Sequence, residues 1–124
     1  MDRHRIVTLL VPCAWLALAS CTPALPVPQV GPHVGEQPEI VPFPPPAAQP
    51  EVIPARPKDK GAVWVDGEWQ WRGRRWVWQK GSWQVPYPGS YWAPAVTIRQ
   101  QDGTLAFFQG GWRTRNKTGD ATKP

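Results

Sequence analysis

The side chains able to do covalent chemistry are few. Between residues 61 and 115 there is no histidine and no cysteine, so that stretch offers no imidazole base, no thiol nucleophile and no soft metal ligand. Its acids are Asp66, Glu68 and Asp102; the two aspartates each precede a glycine, a turn pattern, and Glu68 alone makes no carboxylate dyad. Phosphate-cradling loops and Ser/His pairings are missing as well, so the expectation is a non-enzyme with no metal and no cofactor. His33 stands apart, among prolines. What remain are binding groups. Arg72, Arg74 and Arg75, with Lys80 nearby, form a basic cluster that either keeps an exposed hairpin soluble or meets anionic material such as lipid phosphates, lipopolysaccharide or wall polymers. Tyr87, Tyr91 and Trp92 lie in a loop pre-ordered by Pro86, Pro88 and Pro94, and such aromatics either pack or stack on a ligand.

The elements that position these groups follow from composition. A chain of 124 residues with 17 prolines and 11 glycines has little room for long helices, and its charge of +5 tolerates anionic neighbours. Arg3, His4 and Arg5 precede an apolar run, Ile6 to Ala19, too short to span a bilayer permanently. The run ends in Leu18-Ala19-Ser20-Cys21. This order resembles the lipobox of bacterial lipoproteins, which implies a signal peptide over 1–20 and a Cys21 that carries the lipid. Cys13 would leave with the signal, so the mature chain would keep no thiol for a disulfide. Thr22 follows the cysteine, where lipoproteins retained in the inner membrane resemble one another in an aspartate. The resemblance therefore implies an outer-membrane location, with the membrane itself as a partner through Cys21.

Residues 21–60 read as a linker. Twelve prolines fall between Thr22 and Lys60, and Phe43 is the sole aromatic there, so the expectation is an extended, disordered tether without a core of its own. Residues 116–124 read as a disordered polar tail. Between them, over 61–115, fall eight of the nine tryptophans. Trp64-Val65-Asp66-Gly67-Glu68-Trp69 and Trp78-Gln79-Lys80-Gly81-Ser82-Trp83 share a W-x-x-G-x-W pattern, and Phe107-Phe108-Gln109-Gly110-Gly111-Trp112 is a weaker third copy. These hexads resemble the WXXGXW (YXWGXW) repeat of small bacterial lipoproteins, a resemblance that implies an architecture and a location but no active site.

Local turn chemistry places hairpin tips at Asp66-Gly67, Gly73-Arg74, Lys80-Gly81 and Asp102-Gly103. Those registers agree on one apolar face holding Trp64, Trp69, Trp71, Trp76, Trp78 and Trp83 as core, with Val96, Ile98, Leu105, Phe107 and Trp112 curling over it. The expected fold is all-β: a small twisted antiparallel meander of six to seven short strands with a Trp-rich core. The expected function is a non-catalytic cell-envelope scaffold or protein-interaction element. Its competitor is a module for peptidoglycan or surface polysaccharide, built on Tyr87, Tyr91 and Trp92; nucleic acid is not expected as a partner of a lipid-anchored chain.

Overall fold

The structure is a computed structural model that describes residues 22–115 and 121–122; the expected signal peptide over 1–20, Cys21 and most of the expected tail lie outside the described residues. Ten short strands run in the order β1 (Glu39–Val41), β2 (Val63–Val65), β3 (Glu68–Arg72), β4 (Arg75–Gln79), β5 (Ser82–Gln84), β6 (Ser90–Ala93), β7 (Val96–Arg99), β8 (Leu105–Phe108), β9 (Gly111–Arg115) and β10 (Ala121–Thr122). The class is all-β and every strand pairing is antiparallel, as expected.

The turn at Gly73-Arg74 is present in the expected register, with Arg72 opposite Arg75, Trp71 opposite Trp76 and Trp69 opposite Trp78. Both turn residues have positive φ, 56° and 64°, the type I′ geometry that matches the strand twist. Asp66-Gly67 and Lys80-Gly81, however, are not tips. β2 pairs with β5, Trp64 opposite Trp83, and this register runs straight on into that of β3 and β4. The two W-x-x-G-x-W hexads are therefore opposite arms of one long ribbon, 63–84, and their glycines sit at a shared break in its middle. Neither Gly67 nor Gly81 needs positive φ.

A second ribbon has the same plan. β6 pairs with β9, Trp92 opposite Trp112, and the register continues as β7 with β8 around a turn at Gln100–Thr104, where Gly103 has φ of 87°. Trp92 occupies the place of Trp64, and Trp112 that of Trp83; the pair Thr97–Phe107 occupies the place of Trp69–Trp78. Pro94-Ala95 and Gln109-Gly110 form its central break. The third hexad copy is thus one arm of a second, diverged ribbon; the two broken ribbons supply eight strands, against the expected six or seven, and β1 and β10 from outside the ribbons make ten. Cross-strand indoles meet edge to face in every pair, with centroids 5.6 Å apart for Trp64–Trp83, 5.2 Å for Trp69–Trp78, 5.0 Å for Trp71–Trp76 and 5.4 Å for Trp92–Trp112.

The proline-rich segment is a strap, which corrects the expectation of a free tether. β1 adds to the second ribbon beside β8, and Val41, 2% exposed, packs with Leu105 and Phe107 against Trp71 and Trp76. Upstream, Gln29 and Gly31 exchange backbone hydrogen bonds with Trp92, and Pro26 accepts from the Trp64 amide. Downstream, the strap follows the first ribbon from its tip toward its base. Trp76 donates its indole N–H to Phe43 O at 3.2 Å, Trp69 to Ala47 O at 3.0 Å and Trp83 to Pro54 O at 2.9 Å. Proline has no N–H to leave unpaired against an apolar wall, while extended backbone keeps its carbonyls free to accept. Such a segment has no core of its own, yet it completes another one. Of the six expected core tryptophans only Trp64 is fully buried; the others are half-buried, with the strap on them in place of a second sheet. In the tail, Ala121–Thr122 pairs with Thr114 and Arg115 and is not free chain.

Candidate functional site

The centre of the first ribbon is a carboxylate seat. At the break, Gly67 and Gly81 bring their amides to the same side, and Glu51 of the strap accepts from both, at 3.2 Å and 3.0 Å, while its other oxygen takes the Trp78 indole N–H at 3.1 Å. A methyl group on either glycine would meet this site: a Cβ at Gly67 would lie 2.7 Å from a Glu51 oxygen, and one at Gly81 2.6 Å from the Trp64 ring. The glycine of the hexad is thus there for close approach. Trp78 first, then the two amides, hold the Glu51 carboxyl below the usual range.

In the second ribbon Glu68 takes the matching position. It accepts from Ala95 N at 3.1 Å and lies over Gly110, where any Cβ would collide with its carboxyl. Its Oε1 is buried and has no hydrogen-bond partner among the described residues, and burial raises its carboxyl above the usual range despite the Ala95 amide. Nearby, Arg113 is 3% exposed and makes a two-pronged pair with Glu36 through Nε and Nη2, the latter at 3.0 Å. His33 joins from the strap, its Nδ1 2.8 Å from Glu36 and its Nε2 2.8 Å from Pro94 O. Arg113 above all lowers the Glu36 carboxyl to about 2. These groups tie strap to ribbon, and among the described residues no three His, Cys, Asp or Glu side chains gather as a metal site.

Between the ribbons opens a cleft of about 570 Å³. Trp69, Trp78 and Phe107 give it aromatic walls, Glu68, Thr97 and Arg99 supply polar groups, and Pro44 to Pro46 of the strap border it. Strands β3 and β7 both contribute residues to it, and each ends its sheet with an edge that no strand among the described residues pairs. On β7, Val96 and Ile98 are exposed. Nothing in the spacing of these residues marks the cleft in sequence, because it forms only once the two ribbons and the strap come together.

The expected site residues are dispersed. Tyr91 is 3% exposed, its hydroxyl donates to Pro32 O at 2.9 Å and its ring fills the space over Gly31, so it is a packing residue. Trp92 points to the other face of β6 and pairs with Trp112, while Tyr87 is 66% exposed and alone. The three do not form one stacking platform. Arg72, Arg74 and Arg75 do lie together, exposed at the tip of the first ribbon. Comparison with known proteins returns no matching family model, no matching curated protein and no matching solved structure.

Proposed function

We propose that the chain is a non-catalytic lipoprotein of the bacterial envelope, anchored at the outer membrane through Cys21. Its two-ribbon module is a protein-interaction element that takes an extended segment of another envelope protein in the cleft. The observation that carries this reading is the cleft bordered by strands β3 and β7, each with an open edge and with apolar side chains exposed on β7. An extended partner segment would pair with such an edge through its backbone and place alternate side chains against Trp69, Trp78 and Phe107. The resemblance of the hexads to WXXGXW-repeat lipoproteins, and the lipobox before residue 22, support the location. A glycan-binding module is the alternative, now resting on the aromatic and polar groups of the cleft, because Tyr91 and Trp92 no longer share a surface with Tyr87.

Photo-crosslinking from Thr97 in growing cells tests the choice. A discrete protein adduct, abolished by Arg99→Pro in a chain that still folds, is the expected result, since the register aims the Arg99 N–H at the open edge and proline removes it. Adducts only with peptidoglycan or polysaccharide fragments would replace the protein reading by the glycan one. The anchor is tested separately: intact mass of the membrane-extracted chain should show cleavage before Cys21 and added acyl mass.

A further inference from the structure

The tip of the first ribbon breaks two local rules with no return in stability. Arg72 and Arg75 face one another as a directly opposed pair, where like charges repel. Arg74 holds φ at 64°, a left-handed position that glycine or asparagine fills with less strain. All three arginines are exposed, and none has an acidic partner among the described residues; Arg72 donates to Gln70 Oε1 instead. Beside them the strap exposes two large apolar side chains, Ile40 at 56% and Phe43 at 50%. These belong to the same patch: Ile40, Phe43, Trp71 and Arg74 line one shallow depression, with Glu39 as its one acidic member, and Phe43 meets Trp71 edge to face at 5.4 Å. Cations and interfacial apolar groups at one end of a molecule are the composition of a membrane-surface contact.

We infer that this end, Arg72, Arg74 and Arg75 with Ile40 and Phe43, docks on an anionic phospholipid surface. Guanidinium groups pair with headgroup phosphates in two-pronged fashion, and Phe43 and Ile40 enter the boundary between headgroups and acyl chains. Three arginines without an acidic partner among the described residues complement such a surface, whereas a neutral polymer would leave their charges uncompensated. The surface shares no side chain with the cleft, so the two can be occupied together.

Vesicle co-sedimentation of the full chain tests this, comparing vesicles of phosphatidylcholine alone with vesicles that contain one third phosphatidylglycerol. The apolar run at 6–19 is common to every sample, so the ratio of the two partition coefficients reports the tip. The expected ratio for the parent is well above one and falls roughly 100-fold when Arg72, Arg74 and Arg75 are all replaced by serine, at about fivefold for each basic residue. Arg74→Gly alone should raise the melting temperature while lowering the ratio severalfold. That combination cannot come from misfolding. A parent ratio near one, a triple variant with the parent's ratio, or Arg74→Gly with unchanged binding would each overturn the proposal.

Discussion

Gly67 and Gly81 show how a residue can be read correctly as necessary and wrongly as to why. A glycine after aspartate or lysine between alternating runs is the local signature of a two-residue turn, and the same residues serve equally as opposite positions of one long ribbon. Only the tertiary pairing distinguishes these, and there the requirement is space for Glu51 and the neighbouring indoles. Alanine at either position is therefore expected to destabilise by about 1–3 kcal/mol through overpacking, although alanine tolerates the backbone angles. Urea unfolding of Gly67→Ala and Gly81→Ala checks it; wild-type midpoints for both would remove the carboxylate seat as the reason for the hexad. At Gly73-Arg74 the sequence reading succeeded, since a tight turn with its flanking pairs is decided within a dozen residues. Glu51→Gln should also lower the urea midpoint, because the amide NH2 would face N–H donors in place of an acceptor.

At the scale of elements, the strap is where composition misleads. Twelve prolines and a single aromatic argue correctly that residues 22–60 cannot fold alone, but they do not tell whether another surface needs that segment. The first ribbon does. Its indoles carry N–H groups that must find acceptors when half-buried, and an extended chain of proline and alanine offers carbonyls without competing donors. The cleft was illegible for the same reason, as its walls come from strap and both ribbons at once. The strap is accordingly expected to be as rigid in solution as the ribbons: 15N relaxation order parameters for residues 39–54 should lie near 0.85, whereas a tether would fall below about 0.6. Val41→Ala should cost about 2 kcal/mol, since the side chain is buried against Leu105 and Phe107. Values near zero with mobile amides would return the segment to a linker.

For the whole molecule, the pair of Glu36 with Arg113 closes the chain on itself, joining the start of the strap to β9 across 77 residues of sequence. Few other side-chain links bridge so much chain, so global stability should follow its ionisation. The Glu36 carboxyl is lowered from 4.5 to about 2 in the folded protein, with the Arg113 hydrogen bond as the largest cause. A carboxylate depressed on folding contributes stability that is fully present above the unfolded value, and it is lost as pH falls through the folded value. Its contribution is at most about 3 kcal/mol at 1.36 kcal/mol per unit, present at pH 6 and lost between about pH 4.5 and 2. Glu68 works in the opposite direction, because burial raises its carboxyl and acid relieves the cost of its charge. The parent should therefore lose stability steeply only below about pH 4.5, and Glu36→Gln should be less stable at pH 6 yet lose less of its remaining stability between pH 4.5 and 2. Glu68→Gln should leave that acid limb in place and gain stability relative to the parent as pH rises and the buried charge forms. Urea unfolding across this pH range checks both variants, and an acid limb of unchanged steepness in Glu36→Gln would show that closure through Arg113 does not set the stability of the fold.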